Sequence, residues 1–424
     1  MEIKTVTIIG SNGALGTGVG AIFASFGNAK VYMIARTKEK AEYAIKKAGL
    51  SVRANSICKN MIPKTYEELE NCVKDSDFII ETVVEDYKIK KTIHEEINRY
   101  MKNNSISSSI TSGISINKLS ESYNDNNRRK FFGVHFFNPP YNLQLCELIT
   151  SKYSDSKTER DLEGYLKNVL HRKVVRVKDK AGFLANRIGF QFINRAMQYA
   201  QECSGLGGID YIDEILGEFT GRNMPPLYTA DFVGLDVHKA IVDNIFENTD
   251  DCFNTSFKMP EYANELIKQG NLGMKDNKGL YSNNGKLVYD IEKNEYREKR
   301  EYTLKFTNSI IEHLKIGNYK EAIKVLLEEE SKEAEICRKM LINYIIYSYI
   351  TTKEVGYNLL DCDLAMAEGF NWVPPFALLN LIGKEEFLEK AVEYFPNCKK
   401  DICELVQKDI KSKYGYEKFM KAKR

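Results

Sequence analysis

Several things are scarce in this chain, and each scarcity excludes something. There is no run of roughly 18 apolar residues, the length a membrane-spanning helix needs, so no membrane is expected as a partner. The opening MEIKTVTIIG has no basic stretch ahead of a long apolar core and runs straight into a strand pattern, so no secretion signal is expected. Neither sign of charge is in excess. Sixty-one Lys and Arg against 59 Asp and Glu leave a net +2, which argues against nucleic acid or an anionic surface as the main partner. The nine cysteines (58, 72, 146, 203, 252, 337, 362, 398 and 403) are odd in number and scattered, with no CxxC. Reduced thiols in a cytoplasmic protein is the simplest expectation. Five histidines with no HxxxH give no metal site. What remains is an ordinary globular composition, 43% hydrophobic over 424 residues, enough for two or three domains.

The N-terminal region carries the first positive signal. KTVTIIG is a short β-branched run typical of a buried parallel strand. Gly10, Gly13 and Gly16 punctuate the turn that follows, and Val19, Ile22, Phe23 and Phe26 then mark a helix running to Gly27. AKVYMIAR is a second strand. Strand, glycine turn, helix and strand make a βαβ unit, whose glycines let the backbone approach a pyrophosphate at the helix N-terminus. The spacing is GxxGxxG, one residue longer than the usual GxGxxG. The end of the second strand also departs from the NAD pattern. Where a carboxylate usually binds the ribose 2′-hydroxyl, this chain has Ala35-Arg36-Thr37-Lys38. A carboxylate repels a 2′-phosphate and these residues attract one, so the cofactor is NAD or NADP, with NADP(H) accepted. The bland alternative has Arg36 stacking on adenine.

Three further strands are expected at Phe78–Val84, at Ile106–Thr111 and within KFFGVHFFNPP, with a fourth in QLCELI. They place Glu85, Ser112 and His135 at strand C-terminal ends, the ligand edge of an open parallel sheet. On residue type alone, a histidine inside an apolar run reads as a core residue; the shared edge favours a chemical role.

VHFFNPPYNLQLCELI, TSGIS, VVEDYKIK and DKAGFLANRI, followed by MPPLYTADFVGLD and GNLGMKDNKGLY, together resemble the 3-hydroxyacyl-CoA dehydrogenases over roughly residues 1–283. The resemblance implies an NAD(P)-dependent enzyme interconverting (S)-3-hydroxyacyl-CoA and 3-oxoacyl-CoA. It implies His135 as general base, Glu147 as its orienting carboxylate, and Ser112 and Asn186 as catalytic and substrate-binding residues. Glu85, Lys90, Asn138 and Lys275 fall on cofactor-contacting positions, beside Gly10, Gly13, Gly16 and Arg36. The family's asparagine before the Thr-Ser is replaced by Ile110, and a second serine by Gly113. The chemistry suits the residue types: histidine accepts a proton near neutral pH, and a carboxylate on its far nitrogen fixes the tautomer. Taken singly, Asn186 reads equally as a helix-start residue, Lys275 as a solvated loop lysine, and Glu85 and Lys90 as an ordinary helix start. The remaining histidines (94, 171, 238 and 313) read as bland, and HRKVVRVKDK as a strand with solvated charges. Lys46 and Lys47 read first as a solvated helix face and second as contacts for the phosphates of CoA, which is expected between the dinucleotide domain and the first helical domain.

From Gly182 onward helical periodicity dominates. MPPLYTADFVG (224–234) aligns without gaps to VPPFALLNLIG (373–383), each copy following a long helix. That argues for a duplicated helical domain. The expected architecture is an α/β Rossmann-type dinucleotide-binding domain (1–180) followed by tandem all-α domains: a first helical domain (181–283), a polar connector (284–334) and a degenerate second copy (335–424). The second copy is expected to pack on the first as an internal pseudo-dimer partner, leaving a monomer or a differently built dimer. No hydratase domain is expected. The rival readings are another β-hydroxyacid dehydrogenase with a lysine base and a non-catalytic dinucleotide-binding assembly protein.

Overall fold

The computed structural model describes residues 1–422. The chain divides into two compact units, Met1–Phe183 and Leu184–Arg424.

The first unit is built on an eight-stranded sheet. Its strands are β1 (Thr5–Ile9), β2 (Lys30–Ala35), β3 (Met61–Thr65), β4 (Phe78–Glu81), β5 (Ile106–Ser109), β6 (Phe131–Phe136), β7 (Leu145–Thr150) and β8 (Lys173–Lys178), in the order β3-β2-β1-β4-β5-β6-β7-β8. β1 and β4 are buried throughout, as their near-continuous apolar runs require of strands covered on both faces. Helices α1 (Ala14–Ser25), α2 (Lys38–Val52) and α3 (Tyr87–Tyr100) follow β1, β2 and β4. Val19, Ile22 and Phe23 of α1 join Val6, Ile8, Val31 and Phe78 in one apolar core.

Three expectations need correction here. The sheet is not wholly parallel: β6 and β7 pair antiparallel, and β8 runs parallel to β7. β4 and β5 also end earlier than expected, at Glu81 and Ser109. Side chains capture the backbone there. Glu81 Oε1 accepts from Val83 N at 2.6 Å, and Ser109 Oγ from Thr111 N at 3.2 Å, so the chain peels away from the ladder. The charges of HRKVVRVKDK are not all solvated either. Arg172 is buried, its guanidinium donating to the carbonyls of Leu170 and Pro140.

The second unit is mostly helical. It contains α4 (Ala185–Glu202), α5 (Pro226–Val233), α6 (Leu235–Asn248), α7 (Lys332–Val355), α8 (Pro375–Ile382) and α9 (Lys384–Tyr394). The repeat read from the sequence recurs as geometry. Pro225 (φ −59°, ψ 155°) opens α5 as Pro374 (φ −62°, ψ 137°) opens α8. Gly234 (φ 99°) and Gly383 (φ 93°) close them in the same positive-φ conformation. Asp213 Oδ1 accepts from Leu227 N at 2.8 Å, and Asp363 Oδ1 from Phe376 N at 2.8 Å. Each copy thus caps its two-proline helix with a buried aspartate.

The stretch 284–334 is not merely a surface connector. It forms the hairpin β10 (Leu287–Asp290) and β11 (Glu295–Glu298), joined antiparallel to the short β9 (Tyr281–Ser282). It then adds helices Lys305–Lys315 and Tyr319–Glu328. Phe306, Ile310 and Leu314 recur four apart and are buried. That helical stripe was masked by the dense charge around it.

Candidate active site

The antiparallel turn of the chain after β6 sets the central pair. In the β6–β7 ladder His135 lies directly opposite Glu147, and opposite residues of an antiparallel pair present side chains on the same face. His135 Nδ1 stands 2.8 Å from Glu147 Oε2, with both side chains buried. The other ring nitrogen, Nε2, is 3.1 Å from Ser112 Oγ. Phe137 and Phe183 box the imidazole, with ring centroids 4.6 and 5.6 Å away. The ring therefore has one nitrogen on a buried carboxylate and the other turned to a serine at the sheet edge. A carboxylate on Nδ1 holds the proton there and leaves Nε2 as the basic nitrogen.

Ser112 lies in a turn just beyond β5, and Glu85 organises that turn. Glu85 Oε1 accepts from Ser112 N at 2.9 Å, from Gly113 N at 3.1 Å and from the Thr111 hydroxyl. Its other oxygen lies 3.3 Å from Lys90 Nζ. Lys90 is fully buried and also pairs with Glu81 Oε1 at 2.8 Å and with the Val83 carbonyl. Lys90 thus lies behind Glu85, inside the unit.

Sequence reasoning missed the group beneath this turn. Glu81 and His94 are both wholly buried. His94 Nε2 lies 3.3 Å from Glu81 Oε2 without the alignment of a good hydrogen bond, while its Nδ1 meets the Tyr123 hydroxyl at 2.8 Å. Glu81 Oε2 also accepts from Ser109 Oγ at 2.6 Å. Burial alone would raise the Glu81 carboxyl; the His94 and Lys90 partners outweigh it and hold Glu81 at about 2. Burial pushes His94 below its ordinary 6.5. The available signal was the three-to-four-residue spacing of Lys90, His94 and Ile97, one buried face of α3.

The glycine turn divides its labour. Gly10 takes φ +88°, and its N–H and that of Ser11 donate to the Ile34 carbonyl at 3.0 and 2.9 Å. A Cβ on Gly16 would stand 2.6 Å from Thr82 Oγ1 and 2.7 Å from the Gly10 carbonyl, so Gly16 is needed for packing. A Cβ on Gly13 meets nothing nearer than that carbonyl at 3.6 Å. Gly13 is also the N-cap of α1, and no side chain caps the helix. An open face over uncapped helix N–H groups suits a dinucleotide pyrophosphate. At the end of β2, Arg36, Thr37 and Lys38 are exposed, and Thr37 caps α2 through Lys40 N. Asn138, after β6, is exposed.

Asn186 and Lys275 belong to the second unit. Asn186 is buried in the first turn of α4. Lys275 holds both carboxylate oxygens of Asp236 at 2.6 Å, a half-exposed ion pair at the start of α6. Among the described residues no cluster of three or more His, Cys, Asp or Glu is arranged for a metal. No described helix is long and apolar enough to cross a membrane.

A Rossmann-type dinucleotide-binding unit followed by a largely helical unit is the architecture these elements define. Residues 5–180 match the family described as 3-hydroxyacyl-CoA dehydrogenase, NAD binding domain, and residues 182–283 match 3-hydroxyacyl-CoA dehydrogenase, C-terminal domain. A 3-hydroxybutyryl-CoA dehydrogenase of Mycobacterium tuberculosis is 30% identical over 218 residues, 50% of this chain and 72% of the relative. The chain belongs to the 3-hydroxyacyl-CoA dehydrogenase family. The probable 3-hydroxyacyl-CoA dehydrogenase of Bacillus subtilis is 28% identical over 418 residues, which is 92% of this chain and 52% of the relative. The chain thus spans about half the length of that relative, and of a trifunctional-enzyme relative from Rickettsia felis (54%). The crystal structure of 3-hydroxybutyryl-CoA dehydrogenase from Escherichia coli K12 has the same fold, with a TM-score of 0.72 at 20% identity, covering 96% of this chain and 98% of that one.

Proposed function

We propose that this chain is an NAD(P)-dependent 3-hydroxyacyl-CoA dehydrogenase, interconverting (S)-3-hydroxyacyl-CoA and 3-oxoacyl-CoA. The observation that carries the reading is His135 held between Glu147 and Ser112 at 2.8 and 3.1 Å. The nicotinamide cofactor supplies the hydride acceptor when bound. His135 Nε2 takes the proton of the substrate hydroxyl, and Glu147 stabilises the imidazolium that results. Ser112 Oγ and Asn186 bind the substrate oxygens; Glu85 fixes the Ser112 backbone. In the reverse direction the protonated His135 gives its proton to the substrate's new alkoxide oxygen. Gly10, Gly13 and Gly16 form the pyrophosphate turn, and Asn138, Glu85, Lys90 and Lys275 belong to the cofactor side of the site, Lys90 through Glu85. Lys46 and Lys47, both exposed on α2, are available to CoA phosphates.

NADP(H) is accepted in this reading. Arg36 is exposed at the end of β2 and Ala35 stands at the position where NAD-specific folds carry a carboxylate, which supports it. A lysine base is disfavoured at this edge, because Lys90 is buried between Glu81 and Glu85. Acetoacetyl-CoA reduction with NADH and NADPH in parallel tests both points. His135→Gln should lower kcat by about 10²–10⁴-fold with the fold intact. Near-full activity in that variant would reject His135 as the base, and a large preference for NADH would reject the NADP reading.

A further inference from the structure

We infer that Cys252 and Cys398 form a reversible disulfide when the protein meets a peroxide, stapling the first helical copy to the second. Cys252 lies in the loop after α6, and Cys398 ends the short turn Pro396–Cys398 after α9. They are 146 positions apart in the chain, yet their Sγ atoms are 2.9 Å apart. A disulfide of about 2.05 Å needs roughly one ångström of further approach. The two thiols also differ in access: Cys252 is exposed and Cys398 is buried. A solvent oxidant therefore reaches Cys252 first, and its partner waits beneath it.

The hydrogen bond from Cys398 lowers the Cys252 thiol below its ordinary range, whereas burial pushes Cys337 up to about 12. The thiolate is the reactive form. Its sulfur attacks one peroxide oxygen and the O–O bond breaks. The departing hydroxide takes a proton to become water, leaving a sulfenic acid on Cys252. The Cys398 sulfur then attacks that sulfur, the S–O bond breaks, and a second water leaves with the Cys398 proton. Two thiols and one hydrogen peroxide give one disulfide and two waters. A thiol reductant reverses the bond by exchange.

The staple would anchor a loop that already ties the copies together. Asp251, beside Cys252, accepts from Arg187 at 2.7 Å, and the same guanidinium reaches Glu354 of α7 at 2.7 Å. Arg187 follows Asn186 in the first turn of α4.

The test treats the whole protein with equimolar hydrogen peroxide, alkylates the remaining thiols and maps peptides by mass. The expected result is a Cys252–Cys398 linked pair that dithiothreitol abolishes, with a rise of several degrees in Tm that the reductant also removes. Cys252→Ser should give neither. Cys398→Ser should retain a sulfenic acid on Cys252 that dimedone traps. Both thiols still alkylated after treatment, Cys252 driven to sulfinic acid with Cys398 free, or a linked pair with no change in Tm would each overturn the inference.

Discussion

At the scale of single residues, Arg36 gives the sharpest expectation, because the proposed reading makes one side chain discriminate between two cofactors. Hydrogen bonds to charged groups contribute about 1.5–3 kcal/mol, so Arg36→Asp should cost about 10–100-fold in kcat/KM with NADPH. It should leave the NADH value unchanged or raised. Steady-state kinetics with both cofactors check this, and an equal loss with both would show that Arg36 stacks on the adenine instead. Arg36 is a candidate the sequence offers because the ribose contact is made at the strand end that follows the glycine turn. His135 and Glu147 were legible as a pair through the resemblance, but their contact was not. It depends on β7 reversing against β6, which puts the two opposite each other in the ladder. The apolar run of QLCELI suits a parallel or an antiparallel strand equally, so the direction of β7 could not be read from it.

At the scale of elements, β4, β5 and α3 meet in the buried group of Glu81, Lys90, His94 and Ser109. In the sequence Glu81 and Ser109 fall inside the expected strands Phe78–Val84 and Ile106–Thr111, and His94 in a polar helix. The spacing of Lys90, His94 and Ile97 marks one face of α3, but that this face is the buried one follows from which strand α3 covers. The group makes the fold acid-sensitive, and the sign is fixed by its two shifts. Glu81 is held at about 2, below its ordinary 4.5. Its contribution is therefore full above about 4.5 and is lost as pH falls toward 2. His94 is lowered by burial from 6.5, so it binds a proton less readily in the fold than in the unfolded chain, and it too loses stability as pH falls below 6.5. Urea midpoints measured from pH 7 downward should fall through both windows. Glu81→Gln should lower stability at pH 7 by about 3–5 kcal/mol, since it leaves Lys90 buried with a weakened partner set. It should also flatten the loss between pH 4.5 and 2. An unchanged acid slope in that variant would remove Glu81 as its source.

At the scale of the whole molecule, the seam inside the second unit bears on how the chain associates. α4 is buried along most of its length, including Ile188, Phe192, Ile193 and Met197, and α7 covers part of that surface. Phe192 meets Tyr344 and Trp372 edge-on at 6.0 and 5.5 Å. Arg222, itself buried, lies 3.6 Å from the Phe192 ring centroid and 4.7 Å from that of Trp372. Val373 N closes the seam on the Gly221 carbonyl at 2.7 Å. Both sides of this seam come from one chain, one from each copy of the repeat. An apolar helix face already covered by its own chain has no area left to drive pairing with another. The chain should therefore sediment at its own 48.6 kDa at micromolar concentration, or form a dimer that leaves α4 out of the interface. Analytical ultracentrifugation combined with cross-linking reads this directly. Cross-links joining α4 of one chain to α4 of another would mean that the second copy does not stand in for a partner subunit, and that the two-proline repeat was retained for some other packing purpose.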